Sequence, residues 1–302
     1  MELTIGLVGC GRWGTNHLKA LNALKSTGRL HRIAVCDIDP EKLESIQADA
    51  TYGSLNAMLK AERLDAIAIV TPPSTHVNLA QQAMAENIPL LIEKPLSAHH
   101  EHTRQFLSTL GPNTVMVVGY ILRHHHAIQH LFTSNITDLL GDIVAVNYVR
   151  QTVRQRPEHA EPITTLGVHA LDLIAWLLNE SLEFSKTVQR KVGENDAQIH
   201  LSFPSGKAGM FDVAWNADVE LRHLHIQATE GEATIDFGTG KITLSVQGDT
   251  NTLQSTGHEP LLAEWMYVLN HLDAGGQHVF PSVDRLMDQS QWLAKHGSPN
   301  AS

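Results

Sequence analysis

Residues 3–14 read LTIGLVGCGRWG, an apolar run that leads directly into three glycines spaced as G-x-G-x-x-G. Gly9 permits a tight turn out of a strand, Gly11 lets a ligand approach the backbone closely, and Gly14 lets the following helix pack on the strand. The N–H groups at the start of that helix favour an anion such as a phosphate. This stretch therefore predicts a strand, a phosphate-binding turn and a helix, in that order.

An acidic residue extends the pattern toward a dinucleotide. Asp37 follows a second apolar run, residues 33–36, at the spacing at which a carboxylate binds the ribose of such a ligand. A carboxylate accepts hydrogen bonds from both ribose hydroxyls and repels a 2′-phosphate, so we expect NAD in preference to NADP. Arg12 is compatible with either a phosphate contact or a solvated charge on the loop.

The composition excludes several classes of protein. The 302 residues suffice for two domains, and 22 basic against 32 acidic residues give a net charge of −10, which argues against nucleic acid or an anionic membrane as a partner. No apolar stretch is long enough to span a bilayer, and no basic leader precedes the first strand. The two cysteines, Cys10 and Cys36, lie on predicted core strands, which fits a reducing cytoplasm.

Histidine is abundant, with 19 residues. His126 and His130 could share one face of a helix and hold zinc, but they lack a His-Glu-x-x-His motif or a cysteine pair. We therefore expect solvated or hydrogen-bonded imidazoles and no metal site.

The first 120 residues alternate short apolar runs with helical patterns, which predicts a doubly wound parallel sheet, a Rossmann domain of the α/β class. The predicted strands are 3–8, 32–36, 66–71, 89–92 and 114–119, and the predicted helices lie near 13–25, 40–48, 54–61, 75–86 and 97–109.

In residues 121–302 several predicted strands follow one another without helices between them, which predicts an α+β domain with a large, open, mostly antiparallel sheet. The last helix could pack back on the first domain, and a second copy of the chain could cover the open sheet. The predicted strands are 143–150, 184–192, 196–203, 207–215, 220–229, 231–237 and 241–247, and the predicted helices are 166–178, 260–273 and 283–296.

Two more segments lie at predicted strand ends, where ligands of parallel sheets bind. One contains Thr71-Pro72 and His76, and the other reads Glu93-Lys94-Pro95. Proline after Lys94 allows a cis peptide bond. The ammonium of a lysine at such a place can hydrogen-bond an oxygen whose charge changes as hydride moves.

Together with Gly119-Tyr120-x-x-Arg123 and the helix segment 166–173, these motifs make the sequence similar to the Gfo/Idh/MocA oxidoreductases over essentially its whole length. The resemblance implies an N-terminal NAD(P) domain and a C-terminal domain whose sheet forms a homodimer or homotetramer. It also implies reversible hydride transfer between nicotinamide and a carbinol or ketone of a sugar, cyclitol or nucleotide-sugar.

The resemblance assigns roles to single residues. It implies that Lys94 and His169 are catalytic and converge beside the nicotinamide, with His169 as the acid/base. Thr165, Asp172, Tyr120 and Arg123 would contact the substrate or support the site. The implied cofactor-binding residues are Gly9, Gly11, Arg12, Trp13, Gly14, Asp37, Thr71, Pro72, His76, Glu93 and Lys94.

One departure keeps a second function open. Many members carry an aspartate where this chain has Thr165, and a threonine cannot take a proton at neutral pH. A non-catalytic NAD(H)-binding sensor or scaffold is therefore the alternative to a dehydrogenase. Three arginines, Arg150, Arg154 and Arg156, could receive an anionic substrate group or could lie on a solvated loop.

Overall fold

The computed structural model describes residues 2–272 and 276–297. The chain divides into two compact units. The first comprises Met1–Ile121 and Pro260–Met287, and the second comprises Leu122–Glu259 and the segment that begins at Asp288. The sequence analysis assigned all of 121–302 to the second domain, so the placement of residues 260–287 in the first unit is a correction.

The helices and strands are as follows. The strands are β1 (Thr4–Val8), β2 (Arg32–Cys36), β3 (Ala50–Tyr52), β4 (Ala66–Ile69), β5 (Leu90–Glu93), β6 (Val115–Gly119), β7 (Ile143–Gln151), β8 (Lys186–Val192), β9 (Asp196–Ser202), β10 (Ala208–Ala214), β11 (Leu221–Ala228), β12 (Gly231–Asp236), β13 (Lys241–Val246), β14 (Asp249–Gln254) and β15 (His278–Phe280). The α-helices are α1 (Arg12–Ser26), α2 (Leu55–Ala61), α3 (Pro73–Ala85), α4 (His100–Leu107), α5 (His126–Thr133), α6 (Ile136–Leu140), α7 (Val168–Leu178), α8 (Pro260–Asn270) and α9 (Val283–His296).

The first unit is built on a seven-stranded sheet in the order β15-β6-β5-β4-β1-β2-β3, and all its strand pairs are parallel. The chain runs outward from β1 to β3 and then returns to β4, so the strand order reverses between β1 and β4. In open parallel sheets, ligands bind at the carboxyl ends of the strands beside such a reversal. The doubly wound sheet predicted from the sequence is confirmed.

The core of this unit explains why residues 260–287 belong to it. Strand β4 is buried along its whole length and reads Ala-Ile-Ala-Ile, as a central parallel strand should. Helix α1 buries Leu18, Leu21 and Leu24, and the same core cluster contains Leu261 and Trp265 of α8. The apolar face of α8 is thus part of the core under the first sheet.

The second unit contains an eight-stranded sheet in the order β14-β13-β12-β11-β7-β10-β9-β8. Strands β7 and β10 pair in parallel, and every other pair is antiparallel. Helix α7 lies on one face, where a Cβ at Gly209 would collide with the side chain of Ile174. The mostly antiparallel sheet is therefore also confirmed.

The differences from the predicted elements have local reasons. The predicted helix 40–48 shrinks to a single turn, Pro40–Lys42, which Asp39 caps. Strand β14 reads DTNTLQ and is mostly exposed, so the apolar alternation that marks a half-buried strand is missing from its sequence. The short strands β3 and β15 and the helices α5 and α6 were also not predicted.

No helix within residues 2–272 and 276–297 is long and apolar enough to cross a membrane.

Candidate functional site

The glycine-rich turn after β1 has the geometry that its sequence predicts. Gly9 has a φ of +102°, and a Cβ there would collide with the carbonyl oxygen of Val70. A Cβ at Gly14 would collide with the carbonyl oxygen of Gly9, so the first turn of α1 touches the strand end directly. Neither position can hold a side chain without moving the backbone.

Gly11 differs from its two neighbours. A Cβ at Gly11 would meet no described atom within 4 Å, and its φ of −65° and ψ of −175° suit any residue. Helix α1 begins at Arg12, so its first N–H groups open onto this space. A pyrophosphate fits such a cradle, because the backbone can be approached only where no side chain stands.

Asp37 lies just past the end of β2 and is held by the backbone. Its Oδ2 accepts a hydrogen bond from the Cys10 N–H at 2.7 Å, and its Oδ1 accepts one from the Asp39 N–H at 2.9 Å. These bonds join Asp37 to the glycine-rich turn. Lys42, which the sequence analysis did not single out, brings its Nζ to 3.8 Å from Asp37 Oδ1 and to 3.6 Å from Asp39 Oδ2.

The Glu93-Lys94-Pro95 segment follows β5 at the same edge of the sheet, and its Lys94–Pro95 peptide bond is cis. The Glu93 side chain, 7% exposed, points into the protein. Its Oε1 accepts hydrogen bonds from Trp13 Nε1 at 2.5 Å and from His17 Nε2 at 3.0 Å. Glu93 thus anchors α1 to β5 with its side chain, a role that differs from the direct cofactor contact expected.

The charges of this segment influence each other. Burial would raise the pKa of Glu93, but the hydrogen bond from His17, the charge of Lys94 and the bond from Trp13 hold it below the usual range. Burial lowers the pKa of Lys94, and the neighbouring Glu93 charge opposes that shift. The surroundings of Lys94 therefore determine how strong a hydrogen-bond donor its side chain is.

His76, which the resemblance places among the cofactor-binding residues, contacts the backbone of two loops. Its ring is fully buried, with Nδ1 3.0 Å from the Pro95 carbonyl oxygen and Nε2 2.7 Å from the Thr71 carbonyl oxygen. Burial lowers the pKa of His76, although both carbonyl contacts work in the opposite direction. The side chain therefore connects the loop after β4 to the cis-proline loop after β5.

The remaining residues of the first unit that were expected at the cofactor or substrate site differ in their exposure to solvent. Thr71 bonds Thr75 through its hydroxyl at 2.7 Å, and Pro72 precedes the first residue of α3. Trp13 is 36% exposed and Arg12 is exposed, whereas Tyr120, just past β6, is buried.

In the second unit, His169 lies near the start of α7, directly after a π-helical turn at Ile163–Gly167. Such turns are rare and occur frequently at functional sites. His169 is half-buried, and its Nδ1 is shielded from solvent. The predicted helix 166–178 therefore begins within a π-helical turn, and the regular α-helix starts at Val168.

Thr165, within that turn, uses its hydroxyl inside the unit. It donates to the Glu161 carbonyl oxygen at 2.6 Å and accepts from Trp215 Nε1 at 3.2 Å. The hydroxyl thus has one acceptor and one donor partner within this unit.

Asp172, expected to contact the substrate or support the site, pairs with Arg123. Arg123 Nε and Nη2 bond the two carboxylate oxygens at 2.8 and 2.7 Å, and both side chains are buried. The guanidinium also lies 4.7 Å from the ring centroid of Trp176. This arrangement fixes the segment before α5 to the middle of α7.

Two of the three arginines considered for anion binding have carboxylate partners. Arg150 Nη1 lies 2.6 Å from Glu220 Oε1, and Arg156 Nη2 lies 2.5 Å from Glu194 Oε1. His126, considered as a zinc ligand, bonds Ser255 Oγ through Nδ1 at 2.8 Å. Across the described residues, no cluster of three or more His, Cys, Asp or Glu side chains could hold a metal ion.

Sequence reasoning missed two residues that complete the environment of Glu93, namely His17 and Trp265. Trp265 Nε1 donates to His17 Nδ1 at 3.1 Å, and both side chains are fully inaccessible to solvent. The available signal was the spacing of His17 with Gly14, Leu18 and Leu21, since it places a histidine on the buried face of α1.

Several dehydrogenases are similar to this chain in sequence or in structure. Inositol 2-dehydrogenase from Burkholderia cenocepacia is 26% identical over 213 residues, which cover 68% of this chain and 62% of that enzyme. The match thus spans less than two thirds of the relative's length. UDP-N-acetylglucosamine 3-dehydrogenase from Acidithiobacillus ferrooxidans has a similar structure, with a TM-score of 0.80, 22% identity, and coverage of 96% of this chain and 95% of that one.

A second solved structure shares the fold. Levoglucosan dehydrogenase in complex with NADH and levoglucosan superposes with a TM-score of 0.81 at 15% identity, covering 96% of this chain and 94% of the other. Residues 3–120 match the sequence model of the oxidoreductase family with an NAD-binding Rossmann fold, and they contain β1 to β6 with the glycine-rich turn. Residues 3–120 are therefore similar to the NAD-binding Rossmann domain of the Gfo/Idh/MocA oxidoreductases.

Proposed function

We propose that this protein is an NAD-dependent dehydrogenase or reductase that moves hydride between nicotinamide and a carbinol or ketone of a sugar, cyclitol or nucleotide-sugar. The observation that carries the proposal is the combination of the open cradle at Gly11 with the Lys94–cis-Pro95 segment at the same edge of the parallel sheet. The matched inositol, levoglucosan and UDP-sugar dehydrogenases favour polyhydroxylated substrates.

The cofactor would accept or supply the hydride at its nicotinamide ring. Gly9, Gly11 and Gly14 would receive its pyrophosphate, and Asp37 would bind the hydroxyls of its adenosine ribose. Preference for NAD follows from the Asp37 carboxylate, which repels a 2′-phosphate. NADP is the weaker candidate, although Lys42 lies close enough to Asp37 to reduce that repulsion.

The chain's own groups would handle the proton. We assign the acid/base role to His169, since an imidazole exchanges protons near neutral pH. Lys94 would hydrogen-bond the reacting oxygen and stabilise the charge that develops there as hydride leaves or arrives. Arg123 and Asp172 would act by holding α7, which carries His169, in position.

The test is NADH formation by the purified full chain with NAD⁺ and a panel of inositols, sugars and UDP-sugars. Lys94→Ala and His169→Gln should each abolish turnover with at least one substrate, while NADH binding is largely kept. Lys60→Ala is the matched control, because Lys60 is an exposed lysine of the same unit. Equal turnover by Lys94→Ala and the control would refute the assigned chemistry.

A non-catalytic NAD(H) sensor or scaffold is the second candidate, and the engaged hydroxyl of Thr165 favours it. That function predicts tight NADH binding with no turnover across the whole panel. The NADH-formation assay therefore distinguishes the two proposed functions.

We further propose that the protein forms a homodimer or homotetramer through the face of the second sheet that α7 does not cover. A row across the neighbouring strands β9, β10, β7 and β11 carries the half-buried residues His200, Met210, Asn147 and His225 on this face. Met210→Glu should shift the mass measured by light scattering toward the monomer, whereas Thr252→Glu on the exposed strand β14 should not. A monomeric wild-type protein would contradict this proposal.

A reducing cytoplasm is the location we propose, because neither cysteine forms a disulfide. Burial raises the pKa of Cys10 to about 12 and that of Cys36 to about 11, so both thiols stay protonated and unreactive.

A further inference from the structure

A chain of buried polar side chains runs through the first unit behind Lys94. It begins at Trp265 on α8, passes through His17 on α1, and ends at Glu93 beside Lys94. Trp265 and His17 are both 0% exposed, and the two hydrogen bonds between the three residues measure 3.1 and 3.0 Å. Buried polar groups at this depth need a reason, since an apolar side chain would fill the same space at lower cost.

The direction of the hydrogen bonds follows from chemistry. An indole N–H can only donate, so His17 Nδ1 must accept the bond from Trp265. The ring proton of His17 then sits on Nε2, which donates to Glu93 Oε1. Trp265 thereby selects one tautomer of His17 and leaves no place for a second proton on the ring.

Glu93 receives this N–H together with that of Trp13, and both bonds stabilise its ionised form. The titratable groups that face Glu93 come from three elements. Lys94 follows it in the chain, His17 approaches from α1, and Glu264 faces it from α8. Burial and the Glu93 charge raise the pKa of Glu264 well above its ordinary value, so Glu264 holds its proton while Glu93 is ionised.

We propose that His17, set in a single tautomer by Trp265, is a positioning residue that keeps Glu93 ionised and so keeps Lys94 in the ammonium form. This inference rests on the proposed role of Lys94 in hydride transfer. It adds a residue that touches neither cofactor nor substrate, and it explains why an apolar helix face carries a fully buried histidine.

The first measurement needs no turnover. Nitrogen-15 spectra of the unliganded full chain, with labelled histidine, report which ring nitrogen carries the proton, and the signals of His17 are those absent from His17→Gln. We expect the Nε2–H tautomer at neutral pH, because Trp265 donates to Nδ1. In Trp265→Phe, which removes only the indole N–H, the single tautomer should be lost, whereas Trp292→Phe in the second unit should change nothing.

The second measurement is the pH profile of kcat and of NADH binding. His17→Leu should lower turnover at neutral pH by about tenfold or more and move the alkaline limb to lower pH, because Lys94 loses the support of the Glu93 charge. His17→Gln keeps an N–H donor and should retain the wild-type profile. Thermal melts establish that each variant folds, and if His17→Leu does not, His17→Phe, which also lacks an N–H donor for Glu93, replaces it with the same expected shift.

The results can separate the two proposals. A second proton on His17, or a proton on Nδ1, would overturn the inference whatever the activity. Identical pH profiles for the leucine and glutamine variants would also overturn it. An absence of turnover with every substrate would instead refute the proposed function, and the tautomer and the pH dependence of NADH binding would still decide the role of His17.

Discussion

Gly11→Ala should separate folding from cofactor binding. The backbone at Gly11 has a φ of −65° and a ψ of −175°, which alanine adopts without strain, and its Cβ would meet no described atom within 4 Å. Replacing glycine at a compatible position restricts the unfolded chain and stabilises a protein by roughly 0.4–1 kcal/mol. We therefore expect the Gly11→Ala variant to melt at the wild-type temperature or slightly above it.

The effect on NADH should have the opposite sign. The new methyl group would stand where the pyrophosphate approaches the backbone at the start of α1, and it would lengthen at least one hydrogen bond to a charged oxygen. Such a bond contributes about 1.5–3 kcal/mol. Its loss corresponds to an NADH affinity weaker by about 10- to 150-fold.

The assay is a fluorescence titration with NADH alongside a thermal melt. Gly111→Ala is the matched control, because a Cβ at Gly111 would meet only Thr114 Oγ1, at 3.9 Å, and Gly111 precedes β6 at the amino ends of the parallel strands. Gly14→Ala should lose both stability and binding, since its Cβ would collide with the Gly9 carbonyl oxygen. Wild-type affinity in Gly11→Ala would refute the view that the pyrophosphate lies over this residue.

Three further changes test the surrounding charges. Asp37→Ala should weaken NADH binding and reduce the preference of the protein for NADH over NADPH, because Lys42 remains to contact a 2′-phosphate. Competition titrations with the two cofactors that show an unchanged preference would contradict this. Asp172→Asn should destabilise the protein by about 3–5 kcal/mol in urea unfolding, because the buried Arg123 charge loses its partner; a change below about 1 kcal/mol would contradict it. The raised pKa of Glu264 means that the folded chain retains a proton that the unfolded chain releases above about pH 4.5, so stability should fall as the pH rises toward the folded-state pKa. Glu264→Gln should remove that part of the slope of Tm against pH, and parallel slopes for variant and wild type would argue against the buried acid.

The parts of the fold that the sequence predicts are those with local causes. The glycine spacing of residues 9–14 requires a turn whatever the rest of the chain does, and the alternation of β9 and β10 marks one buried face on each strand. The elements that escaped prediction lack such causes. Strand β14 has a single apolar residue, Leu253, and it pairs with the edge of β13.

The roles of individual side chains were harder to predict, because they depend on partners far away in sequence. Trp13 and Glu93 are 80 residues apart, and His17 and Trp265 are 248 apart. The sequence marks Glu93 as special but gives no sign that its carboxylate points inward to α1. His76 is similar, since only the fold brings the carbonyl groups of Thr71 and Pro95 to both sides of its ring.

Thr165 shows how a departure from a family pattern can be built into the structure around it. Its hydroxyl donates to the Glu161 carbonyl oxygen and accepts from Trp215, a pairing that needs both a donor and an acceptor. An aspartate here could accept from the indole, but its second oxygen would face the carbonyl, and two acceptors repel each other. The surroundings of residue 165 thus suit a hydroxyl and disfavour a carboxylate. Under the proposed function, the imidazole of His169 would therefore handle the proton without a carboxylate at this position.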